Sequence, residues 1–129
     1  MTLDSSAIIA ILFGEPGYLE IVDRILEADQ VRVGAPTLVE TSLVFAGRQK
    51  TRRSSNEVAA LLNELGVTVV SFGERECNLA VDAFRRFGRG RHRAALNFGD
   101  CLAYATAMAA RDSLLFVGDN FALTDVARV

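Results

Sequence analysis

Short apolar runs alternate with longer stretches of helical spacing along the whole chain, and this alternation constrains the fold more than any other feature. Residues 1–3, 31–33, 67–72 and 114–117 read as strands. Between them, helical patterns run over residues 6–12, 18–28, 37–46, 58–65, 74–87 and 98–110. Gly14-Glu15-Pro16-Gly17 separates the first two helices, Pro36 precedes the third, and Gly66 and Gly88 end later ones. Ser54 and Glu57 have the spacing of a capping box. Strands that alternate with helices build a parallel sheet, because parallel neighbours need a crossover and a helix supplies it. The unbroken Leu114-Leu115-Phe116-Val117 fits a strand buried on both faces. The expectation is therefore an α/β fold, a mainly parallel sheet with helices on both faces. At 129 residues the chain suits a single domain, and 50% hydrophobic residues exclude a disordered one. In the helix over 74–87, Ala80, Val81, Phe84 and Phe87 are predicted to face inward.

Ligands of such sheets sit at the carboxyl ends of the strands. Asp4 directly follows the first strand, and Asp119 follows the last by two residues. Glu40 and Asp100 fall in the first turns of two helices. Each acid also has a local reading. Asp4 suits an N-cap, Thr37-x-x-Glu40 a capping box, Asn97 with Asp100 a cap, and Asp119 a turn. Their common placement at one sheet edge favours a shared role. Two carboxylates about 4 Å apart repel by roughly 4 kcal/mol at an effective dielectric near 20. Converging acids therefore protonate in part or take up a cation. An all-oxygen donor set suits Mg²⁺ or Mn²⁺, and such an ion assists phosphodiester hydrolysis.

The segments Leu3-Asp4-Ser5-Ser6-Ala7, Leu38-Val39-Glu40, Ala95-Leu96-Asn97-Phe98-Gly99-Asp100-Cys101 and Phe116-Val117-Gly118-Asp119-Asn120-Phe121, with Thr124-Asp125, resemble the PIN-domain ribonucleases. Among these they are most similar to the VapC toxins of bacterial VapBC toxin–antitoxin pairs. The resemblance implies a single PIN domain over 1–129 and a three-layer α/β/α sandwich. It implies Mg²⁺- or Mn²⁺-dependent endonucleolytic cleavage of RNA. It also implies a VapB-type antitoxin partner, hetero-oligomers with it, and a homodimer. Carried over by position, Asp4 and Asp100 are the main metal ligands, Glu40 is a third catalytic acid, and Ser6 and Asn97 support them. The fourth acid departs from the pattern, since an amide, Asn120, stands where relatives usually carry an acid. Asp119 is the candidate for that role through a one-residue shift. Asp125, or the Asn120 carbonyl, is the alternative.

Basic residues crowd two stretches, Arg85 to Arg93 and Arg48 to Arg53 (with Lys50 and Arg52), in a chain of net charge -2. They suit solvated helix ends, or phosphate contacts beside an acidic centre. Arg91 and Arg93, in the loop approaching Asp100, are the candidate RNA contacts. The apolar stretches 7–13 and 38–45 are candidate parts of an antitoxin groove. Tyr18 and the phenylalanines read as core, and Cys77 and Cys101 as small buried hydrophobes. A serine hydrolase would need the lone His92 as base, and no Gly-x-Ser-x-Gly is present. An aspartyl phosphatase would carry a second Asp at position 6, where this chain has Ser6. A non-enzymatic RNA-binding module is the alternative function, prompted by Asn120. No apolar run is long enough to span a bilayer and no export signal is legible, so a cytoplasmic setting is expected.

Overall fold

A computed structural model describes residues 1–49 and 56–129. The elements run β1 (Thr2–Leu3), α1 (Ser5–Phe13), α2 (Tyr18–Glu27), β2 (Arg32–Gly34), α3 (Ala35–Arg48), α4 (Glu57–Glu64), β3 (Thr68–Val70), α5 (Glu74–Phe87), α6 (Phe98–Ala110) and β4 (Leu114–Leu115), then a 3₁₀ turn, Asn120–Leu123. The four strands pair in the order β3-β2-β1-β4, all parallel. Successive strand side chains point to opposite faces, and each face carries its own core. Leu3, Val33 and Leu115 join Ala7, Ile8, Ile25, Phe45, Val58 and Leu62 from α1 to α4. Leu114 joins Ala83, Phe87, Leu96, Tyr104 and Ala107 from α5, α6 and the loop between them. The expected α/β/α sandwich is present.

The ends of the elements have local causes. Gly14 closes α1 in the left-handed conformation, with φ 59°, and its N–H caps the carbonyls of Ala10 and Ile11. Pro36 lies inside the first turn of α3, where a missing N–H leaves no bond unmade. That helix begins two residues earlier than predicted. Thr37 is consequently an interior, buried residue rather than a cap, and its hydroxyl oxygen has no partner. The capping box read at Thr37 and Glu40 is absent for the same reason. Strand β3 is shorter than the predicted 67–72 because it lies at the sheet edge, half exposed, with pairing on one side only. On the opposite edge, β4 is covered by the tail: the Leu114 N–H donates to Ala127 and the Val129 N–H to Leu114. Ser54, Lys50, Arg52 and Arg53 lie outside the described residues.

Several inward assignments are corrected. Val81 is 52% and Phe84 40% exposed, whereas Ala83 and Phe87 are buried. Two apolar stripes run side by side on α5, and its contact with α6 selects the one through 83 and 87. Phe98 is 79% exposed instead of core, and Cys77 is exposed. Of the stretch 7–13, Ala7, Ile8, Ile9 and Ala10 are buried in the core and are closed to a partner. Among the described residues no single helix is long and apolar enough to cross a membrane.

Close backbone approach sets the packing at the carboxyl end of β2. A Cβ on Gly34 would lie 2.4 Å from the Thr106 hydroxyl, so only glycine lets α6 settle there. At the amino edge of the sheet Asp112 is engaged through its Oδ2. It takes the terminal ammonium of Met1 and the Arg32 guanidinium, each at 3.3 Å, and the Thr2 hydroxyl at 2.9 Å. The acids at the other edge are different.

Candidate active site

Asp4 leaves β1 with its backbone still in the ladder, its N–H donating to the Leu115 carbonyl at 3.0 Å. It is at once the N-cap of α1, accepting from the Ser6 N–H at 3.0 Å and the Ser6 hydroxyl at 2.5 Å. The local reading and the functional one therefore hold together: the cap fixes the carboxylate at the sheet edge. Asp4 is only 4% exposed, and its second oxygen, Oδ1, is buried without a hydrogen-bond donor. The Ser6 hydroxyl also accepts from the Val117 N–H at 2.9 Å, which ties the end of β4 to the start of α1. Ser6 is thus a structural bridge across the edge as well as a donor to Asp4.

Glu40 reaches the same place from α3. Its carboxylate rests directly on the Cα of Gly99, and a Cβ there would fall 2.0 Å from Oε1. The Glu40 Oε2 is buried and without a donor. Asp100, in the first turn of α6, accepts from the Asn97 N–H at 2.9 Å, and Asn97 Oδ1 accepts in return from the Asp100 N–H at 2.9 Å. This capping box is the one expected, and it aims the Asp100 side chain back across the helix start.

The electrostatics show the convergence. Burial pushes the Asp4 carboxyl above its ordinary range, the two Ser6 bonds pull against that, and the Asp100 charge adds to the rise. Burial also raises Glu40, opposed by the nearby Ser5 hydroxyl and reinforced by the charges of Asp4 and Asp100. Asp4, Glu40 and Asp100 are therefore one group. Among the described residues none of the three has a basic partner within ion-pair distance.

Asp119 is not part of that group. Its side chain is exposed, and the charges that raise Asp4 and Glu40 are those of the trio itself. Asp125 is engaged elsewhere, accepting from the Tyr104 hydroxyl at 2.6 Å and from Arg86 at 2.6 Å. Burial pushes Asp125 up, but those donors together outweigh it and hold its carboxyl below the ordinary value. His92 orders the loop that carries the basic residues: its Nδ1 accepts from the Ala94 N–H at 3.1 Å and its ring meets Phe87 edge-on. Arg91 and Arg93 are exposed on this loop, and Arg91 lies over the Phe84 ring at 5.5 Å. Two contributors escaped the sequence reading, Ser5 and Gly99. A glycine inside a helical pattern is itself the signal of a close backbone approach.

The three acids do not form a finished cage: among the described residues no three acidic, histidine or cysteine side chains stand in metal-holding arrangement. They do fit an ion of the magnesium type, which is held by one or two carboxylates with water filling the remaining positions. Two buried carboxylate oxygens without donors are what such an ion neutralises.

Comparison with known proteins gives the family. Residues 1–127 match the family model described as PIN domain. The chain is 38% identical over 130 residues to Ribonuclease VapC of Mycolicibacterium smegmatis, covering 100% of this chain and 99% of the relative. It is 40% identical over 128 residues to Ribonuclease VapC36 of Mycobacterium tuberculosis, covering 98% and 91%. Among solved structures, Mycobacterium tuberculosis VapC20, a Sarcin-Ricin loop cleaving toxin, superposes with TM-score 0.77 at 16% identity, over 99% of this chain and 97% of that one. A toxin–antitoxin complex from Klebsiella pneumoniae superposes with TM-score 0.71 at 15% identity, over 99% and 95%. The matches span the strands, the helices and every acid of the site, and the chain belongs to the PIN-domain family of VapC ribonucleases.

Proposed function

We propose that this chain is the toxin of a toxin–antitoxin pair and acts as an endoribonuclease that hydrolyses RNA phosphodiester bonds with Mg²⁺ or Mn²⁺. The observation that carries the reading is the unpaired trio Asp4, Glu40 and Asp100 at the carboxyl edge of the sheet. Membership of the family implies a divalent metal. Asp4 and Asp100 would hold the ion, with Glu40 beside them on the ion or on water. A bound ion supplies positive charge at the phosphate and lowers the pKa of a coordinated water. The chain's own part is to orient: Ser6 and Asn97 fix Asp4 and Asp100, and Ser5 steadies Glu40. Exposed Arg85, Arg89, Arg91 and Arg93 form no ion pair among the described residues and offer a phosphate-binding rim.

The antitoxin surface is assigned to the outer side of α3, where Val39, Leu43 and Val44 are exposed next to Phe13. An arginine from that partner would pair with the acids. A homodimer is implied by family membership alone. Two free thiols suit a reducing, cytoplasmic compartment.

The test compares purified protein with Asp100→Asn on bulk RNA in Mg²⁺, in Mn²⁺ and in EDTA. Loss of at least about a hundredfold in the variant and in EDTA is expected, since the metal supplies the main stabilisation of charge. Equal cleavage by both proteins counts against the site.

A further inference from the structure

The loop after β4 holds Asn120 in one place, and the hydrogen bond it makes there has a direction. The loop is fixed at both ends. On one side the Val117 N–H is bound by the Ser6 hydroxyl at 2.9 Å. On the other, Phe121 is buried against Phe116, with ring centroids 4.9 Å apart. Between them Gly118 turns at φ 106°, a region that side-chain-bearing residues rarely enter. The turn brings Asn120 over the start of α6, where its Nδ2 donates to Asp100 Oδ2 at 3.3 Å. Charge dictates this sense, because an amide NH₂ is attracted to a carboxylate and the amide oxygen is repelled. Oδ2 thus takes both the Asn97 N–H and the Asn120 amide, and among the described residues Oδ1 takes no donor. Asp125 does not replace Asn120, since it is bound to Tyr104 and Arg86.

We propose that Asn120 is a positioning residue for Asp100: its amide holds one carboxylate oxygen, leaves the other for the metal, and keeps the site at three acids. This rests on the metal-nuclease reading above. An acid at position 120 would add a fourth charge where the trio already lacks compensation. It would raise the site's hold on a divalent ion and weaken the metal-free protein. The amide trades that extra affinity for a fixed Asp100.

The experiment uses the full chain as wild type, Asn120→Ala, Asn120→Asp and Asn120→Asp in an Asp100→Asn background. Mn²⁺ affinity is read by calorimetry, thermal unfolding in EDTA, and cleavage of an RNA oligonucleotide as separate kcat and KM. Asn120→Ala is expected to lower Mn²⁺ affinity and kcat by about tenfold or more, as for other residues that orient a ligand, with KM for RNA nearly unchanged. Asn120→Asp is expected to bind Mn²⁺ more tightly than wild type and to unfold at a lower temperature in EDTA. That drop should shrink in the Asp100→Asn background, where the nearest repelling charge is gone. Wild-type Mn²⁺ affinity and kcat in Asn120→Ala would overturn the proposal. So would an EDTA unfolding drop for Asn120→Asp that is the same with and without the Asp100 charge. A wild type that neither binds Mn²⁺ nor cleaves RNA would defeat the nuclease reading, and the EDTA comparison would still decide the Asn120 contact.

Discussion

Asp4 has two duties that pull in opposite directions. As an N-cap it stabilises α1, and as a buried charge beside Asp100 it destabilises the metal-free protein. Asparagine caps a helix about as well as aspartate, so Asp4→Asn keeps the first duty and removes the second. We expect the variant to be more stable than wild type in EDTA at neutral pH by about 1–2 kcal/mol, or several degrees in unfolding temperature, and to lose RNA cleavage. Calorimetric scans in EDTA and cleavage assays check both parts. The pH dependence has a definite sign. Asp4 and Glu40 are raised above their ordinary values of 3.8 and 4.5, so the folded protein binds more protons than the unfolded chain over that range. Their favourable contribution is complete below about pH 4 and is lost as pH rises through the raised folded values. As pH rises above the ordinary carboxylate range towards neutrality, the metal-free wild type should lose more stability than an Asp4→Asn, Glu40→Gln double variant. Saturating Mn²⁺ should cancel the difference, because the ion binds the ionised form. A pH profile shared by wild type and double variant, without metal, would contradict the burial of these charges.

At the scale of elements, the site exists because α3 and α6 approach closely at Gly99. Helix propensity alone says that Gly99→Ala stabilises, by less than the roughly 1 kcal/mol of a helix interior because the position is in the first turn. The contact says the opposite, since the new Cβ would sit 2.0 Å from the Glu40 carboxylate. We expect Gly99→Ala to destabilise by about 1–3 kcal/mol and to lower cleavage at least tenfold by displacing Glu40. Gly47, also in a helix, has nothing within 4 Å of its Cβ position. Gly47→Ala should stabilise by up to about 1 kcal/mol with activity unchanged. Denaturant unfolding of the pair decides whether backbone approach or propensity governs position 99.

Over the whole molecule, charge is separated although the net charge is only -2. The three acids stand at the sheet edge, and five exposed arginines lie on the end of α5 and the loop leading to α6, of which, among the described residues, Arg86 alone is paired, with Asp82 and Asp125. For an uncleavable single-stranded RNA, each phosphate contact contributes about 0.7 to the slope of log affinity against log salt. Replacing Arg91 and Arg93 together by alanine should therefore weaken binding and reduce the slope by about 1–1.5. An unchanged slope in filter-binding titrations would place the RNA elsewhere. Much of this arrangement was legible in the residues. The α6 boundaries, Phe98–Ala110, coincide with the reading, because the Asn97–Asp100 capping box and the helical spacing are local signals. Asp4 and Asp100 were legible from strand ends and caps. The start of α3 was not, because Thr37 and Glu40 mimic a capping box while Pro36 fits equally well within the first turn of the helix.

By itself the sequence determined what depends on residues close along the chain: the alternation that makes the sheet parallel, the caps, the turns, and the acids that end up at the carboxyl edge. The tertiary structure alone decided which of two apolar stripes on α5 is buried. It also decided that Glu40 leans on Gly99, that Asp125 serves Tyr104 and Arg86, and that Asn120 faces Asp100. Those outcomes depend on contacts between residues 20 or more positions apart in most cases. Such contacts are selected by how whole layers pack, and no local pattern encodes them.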